Sequence, residues 1–131
     1  MTVLIELVGA LLRRRLLLVT VVGTSMEPAY TDGDRVLVRR STLAGVRRGA
    51  VVVLAAAPGA PASDPPFRMK RAAALPGDPV PAGIPVADRL VPPGRLVVLG
   101  DNTERSADSR TAGFLPATDV VGIVIRRLPR R

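Results

Sequence analysis

The 131-residue chain contains no cysteine and no histidine. No disulfide framework and no thiolate nucleophile can therefore exist. Zinc sites built from His and Cys are excluded. A Ser-His-Asp triad is excluded as well, because it needs an imidazole. Any chemistry must use hydroxyls, carboxylates, Lys, Arg, Tyr or the backbone. Aromatic residues make up only 2%, with no Trp, so a core must come from Val, Leu, Ile and Ala. Hydrophobic residues reach 47% and charged residues 23%. That balance supports a packed core and not a disordered tail, at the length of one domain.

Lysine is almost absent too. The cations are 18 Arg and a single Lys, Lys70. Arginine keeps its proton at any workable pH, whereas lysine can lose it. A lone Lys in an Arg-rich chain is a candidate for proton chemistry. The formal net charge is +8, which draws a chain toward anionic surfaces, nucleic acid or lipid head groups.

Residues 1–12 (MTVLIELVGALL) read as an apolar helix, followed by Arg13, Arg14 and Arg15. Twelve residues are too few to span a bilayer, which takes about 20. Extending the span to Val22 would bury three Arg, each costing at least about 2.5 kcal/mol. The expectation for residues 1–15 is a helix lying on a membrane or packed on the domain. A cleaved secretory signal is not expected, since the basic cluster follows the apolar stretch.

Residues 16–131 read as one β domain. An apolar run at 16–22 suits a buried strand. Strands are expected at 35–40, 50–55, 67–74, 95–99 and 119–127, with Val-rich or alternating patterns. The Pro- and Ala-rich segment 56–66 is a loop, Leu75-Pro76-Gly77-Asp78 a turn, and 79–94 an irregular excursion. Residues 100–113 form a polar loop. Short strands at this spacing predict an all-β fold, a small barrel or sandwich.

A hydroxyl nucleophile without His needs another base. An ordinary lysine titrates at about 10.4 and is charged at neutral pH. Burial among apolar groups disfavours the ammonium, and a neutral amine can then activate a serine. Phe67, Met69 and Ala72–Ala74 give Lys70 apolar neighbours in sequence. Ser25 follows the strand-breaking Gly23, a suitable place for an exposed hydroxyl with open backbone amides. Residues 101–110 do not form a calcium loop, because Thr103 and Arg105 stand where an EF-hand needs oxygen-rich side chains. No metal and no cofactor are expected.

Three segments then resemble the type I signal peptidases, in order, across residues 16–127. Ser25-Met26-x-Pro28 with Asp32-Gly33-Asp34 resembles the nucleophile segment. Lys70-Arg71 with Leu75-Pro76-Gly77-Asp78 resembles the lysine segment. Gly100-Asp101-Asn102 through Ser106-x-Asp108-Ser109-Arg110 resembles the last conserved box. The resemblance implies a serine endopeptidase in which Ser25 attacks the scissile carbonyl and Lys70 takes its proton. Ser106 would orient the amine. The Ser25 and Gly23 amides would face the oxyanion; some family members carry a hydroxyl at the latter position. Arg71, Asp101, Asp108 and Arg110 would form bracing ion pairs. It also implies a precursor or leader-peptide substrate with small residues at P1 and P3, and a site at the cell membrane, on its extracytoplasmic face, with a soluble cytoplasmic form as the alternative. This chain departs from the family in having Thr103-Glu104 where Arg-Asp is common, and only 79–94 where larger enzymes insert a second β-rich region.

Alternatives stay open at this stage. A dedicated maturation protease for one precursor fits the same residues. A self-cleaving repressor-type protease shares the Ser-Lys pair, but Gly9-Ala10 reverses its scissile dipeptide. A peptide-binding relative without activity would carry the same motifs. A nucleic-acid module would need stacking aromatics beside its basic patch. One Tyr and two Phe do not provide them, and no nucleic-acid partner is expected.

Overall fold

The computed structural model describes residues 15–56, 59–104 and 107–129. The helix expected over 1–15 falls, but for Arg15, outside these residues. Seven strands form one antiparallel sheet: β1 (Leu16–Thr20), β2 (Arg35–Arg40), β3 (Val51–Ala55), β4 (Phe67–Ala74), β5 (Arg95–Leu99), β6 (Leu115–Pro116) and β7 (Val120–Arg127). Their order is β1-β2-β7-β3-β4-β5-β6. The sheet curls into a half-barrel. Three strands separate β1 from β4 in that order, yet Val19 of β1 and Met69 of β4 share one apolar cluster.

The Val-rich runs explain the curl. β3 is buried over Val51–Leu54, with successive side chains on opposite faces. Val51 and Val53 join the first cluster, while Val52 and Leu54 join a second with Ala72, Leu96 and Ile123. A third cluster of Ala74, Ile84, Val91 and Val97 sits beneath the 79–94 excursion. That excursion has only the isolated bridge Pro79–Leu90.

The run at 16–22 is not a buried strand. β1 ends at Thr20 and lies at the sheet edge, and Leu18 is 53% exposed. Only its inward positions, Leu17 and Val19, pack on the core. Besides two short 3-10 turns, Leu43–Gly45 and Ala117–Asp119, two elements went unforeseen. One is the two-residue β6. The other is a one-turn helix, Ser109–Ala112, inside the expected polar loop; Asp108 caps it by accepting from the Arg110 N–H. Among the described residues no helix is long and apolar enough to cross a membrane.

Gly122 marks the tightest point of the sheet. It pairs with Arg40 on one side and Val53 on the other, next to the register shift in the β3 ladder. A Cβ here would run into the Arg39 carbonyl oxygen and the Val38 side chain. Overpacking of this kind costs about 1–3 kcal/mol. Gly122→Ala is expected to lower the unfolding free energy by that amount and so to lower the urea midpoint; an unchanged midpoint would show that β2 and β7 separate freely.

Candidate active site

β4 carries Lys70, and the period-two alternation sets it on one face with Arg68 and Ala72. Val52 of β3 lies opposite it in register. The side chain is buried, with 6% of the residue exposed. Burial lowers its pKa from the ordinary lysine value. Asp108 opposes this by favouring the ammonium, and the Arg68 and Arg110 charges add to the lowering. Desolvation is the largest influence, so the net direction is toward a neutral amine.

Ser25 sits in the turn that follows β1, half-buried, and shares a groove of about 570 Å³ with Lys70. Apolar residues of β1 and the segment after it form one wall, and Pro65, Pro66 and Phe67 form the other. Among the described residues β1 presents an unpaired edge here. β5 pairs only with the Arg71–Ala74 part of β4. Among the described residues, the Phe67–Lys70 stretch therefore also has an unpaired edge.

The loop after β5 ties these two segments together. The Asn102 N–H donates to the Ser25 carbonyl at 2.8 Å, and its side-chain amide donates to the Thr24 carbonyl at 3.1 Å. One residue earlier, Asp101 accepts two hydrogen bonds from Arg71, 2.9 Å from Nε and 2.8 Å from Nη2. Asp108, 3% exposed, accepts from the Gly100 N–H at 2.7 Å and pairs with the Arg110 guanidinium. The loop is thus pinned at its neck. Ser109, fully buried, accepts from the Val98 N–H at 2.9 Å.

The structure places the expected residues as follows. Ser25 and Lys70 line one groove, and Asp101 pairs with Arg71 as Asp108 does with Arg110. Ser106 lies outside the described residues; its neighbour Ala107 lines the groove. Gly23 differs from expectation. Its N–H is not offered to the groove but donates to Asp32 Oδ1 at 2.7 Å. Its φ of +86° is a conformation that side chains other than glycine's rarely adopt. A hydroxyl-bearing residue at this position would be strained in that conformation. The Ser25 N–H has no acceptor among the described residues. Asn102 was part of the quoted box but not singled out; its value depends on a tertiary contact that spacing does not reveal. Among the described residues no cluster of acidic side chains could hold a metal ion.

The lowered Lys70 pKa carries a stability consequence. The native state sheds this proton before the unfolded chain does, so stability rises with pH from the folded pKa up to about 10.4. Lys70→Met is expected to fold and to flatten that rise in chemical-denaturation curves. An identical pH slope in both proteins would contradict the burial described here.

A family model described as signal peptidase, peptidase S26, matches residues 1–83 and 82–128. The match takes in the Ser25 turn, the Lys70 strand and the loop that joins them. The chain belongs to the S26 signal peptidases.

Proposed function

We propose that the protein is a serine endopeptidase that removes signal-peptide-like or leader segments after small residues, using Ser25 and Lys70. What carries this reading is the burial of the only lysine in the same groove as Ser25. The Ser25 hydroxyl passes its proton to the neutral Lys70 amine as its oxygen bonds to the scissile carbonyl carbon. The Ser25 N–H stabilises the resulting oxyanion. The carbon–nitrogen bond then breaks, and the Lys70 ammonium returns the proton to the leaving amine. Water, deprotonated by Lys70, then attacks the acyl carbon; the ester carbon–oxygen bond breaks, and Lys70 returns the proton to Ser25 Oγ. Ser106 is assigned to orient the amine. An extended peptide enters between the two unpaired edges, β1 and Phe67–Lys70, by strand addition. A protease dedicated to one precursor fits the same geometry and differs only in substrate range.

Ser25→Ala and Lys70→Arg are each expected to reduce cleavage of a leader-like peptide by about 10⁴-fold or more while remaining folded. The wild-type rate should rise with pH as Lys70 loses its proton, with a limb below the ordinary lysine value. An active Lys70→Arg variant would sink the mechanism.

We also infer that the domain works at an anionic membrane surface, with its site on the extracytoplasmic face. Leu16, Leu18 and Thr20 of β1 lie opposite Arg39, Leu37 and Arg35 of β2, on the side away from the first cluster. β1, β2 and β7 carry five Arg and no acidic residue. Leu18, Val22 and Ile125 are among the exposed large apolar residues. An Arg near such a surface contributes about 1 kcal/mol, so Arg39→Gln with Arg126→Gln should weaken vesicle binding roughly tenfold or more. Equal binding to neutral and anionic vesicles would contradict this surface, and tight binding to oligonucleotides alone would favour a nucleic-acid partner.

A further inference from the structure

Arg68 stands two residues before Lys70 on β4, so both side chains leave the strand on the same face, about 7 Å apart at their bases. Both line the groove. The Arg68 side chain is 26% exposed and held at two points. Its Nε donates to the Ala55 carbonyl at 2.9 Å, and its Nη2 to Asp119 Oδ2 at 3.3 Å. These bonds keep the guanidinium from swinging out to solvent.

We propose that Arg68 is a positioning residue for the base: its pinned guanidinium is a fixed positive charge on the face of Lys70 that disfavours a second cation there. The other charges around Lys70 are of two kinds. Asp108 and Arg110, from the loop after β5, act in opposite directions and pair with each other. Arg71, next in sequence, leaves on the opposite face and is bound to Asp101. Asp64, in the 56–66 loop, lines the same groove. Arg68 is itself paired with Asp119, but that carboxylate is not among the charges acting on Lys70, and Arg68 adds to the effect of burial. A like charge inside the Debye length of about 10 Å at moderate salt acts without contact. The consequence for rate rests on Lys70 being the base; the electrostatic effect itself does not.

Because Lys70 is the only lysine, the full-length protein labelled with carbon-13 lysine gives one side-chain signal, and its titration needs no substrate. Arg68→Gln is expected to move that titration to higher pH, and salt should change that shift little, because Lys70 is buried and Arg68 largely covered. Arg68→Met, which keeps the apolar stem, should behave alike if the Gln variant folds poorly. Arg89→Gln, an exposed cation of the 79–94 excursion that is not among the charges acting on Lys70, should leave the titration unmoved. With a cleavable peptide, the rising limb of kcat/KM should follow the signal. A titration unchanged in both Arg68 variants would overturn the proposal. A wild-type Lys70 that titrates at the ordinary value would count against the base itself, whereas a lowered value indifferent to Arg68 would count against Arg68 alone.

Discussion

Arg71 grips Asp101 through two nitrogens, and through that grip the two halves of the site hold their places. Lys70 precedes Arg71 on a rigid strand. Asn102 follows Asp101 and is bonded to the carbonyls of Thr24 and Ser25. The turn bearing the hydroxyl and the strand bearing the amine are therefore linked through two adjacent loop residues. A planar guanidinium matched to a carboxylate fixes orientation as well as distance. A lysine in the position of Arg71 would supply charge without that alignment. The loop can do this because its own neck is fixed by Asp108, which bonds the Gly100 amide and the Arg110 guanidinium.

The fold spends stability to keep Lys70 where it is. A buried ammonium is costly, and only part of that cost is offset by the nearby Asp108. Elsewhere the chain uses arginine, which stays charged in each ion pair: with Asp119, Asp101, Asp108 and Asp34. The division is chemical. Permanent cations brace the structure, and the one removable proton on a nitrogenous side chain faces the groove.

Much of this was legible in the sequence. The Val runs at 51–55 and 95–99 and the alternation at 35–40 became strands, because their pattern matches a pleated, packed surface. The lone lysine could be noticed from composition, and the three motifs from their order. Other features depend on contacts distant along the chain. β1 reads as a buried run, but its edge position leaves Leu18 uncovered. Nothing in the residues around Gly23 says that Asp32 will take its N–H. β6 is two residues long and exists only because β5 offers it a partner. The Ser109–Ala112 turn did carry a local signal, Asp108 before it and Gly113 after it, overshadowed by the polar composition of the loop.

Among the described residues the half-barrel is open on one side, and strand edges that lack partners face the gap from β1 and from the first half of β4. An extended peptide lying there would act as a missing stave, joining β1 to β4 and closing a ring with β2, β7 and β3. Its grip would then come from main-chain bonds that every sequence can make. Discrimination would fall to alternate side chains, since every second residue of a strand turns inward. A chain with proline at a bonding position would lose part of that grip whatever its other residues. Selection would then work by exclusion, with bulk at the inward positions and missing amides along the edge both counting against a candidate strand.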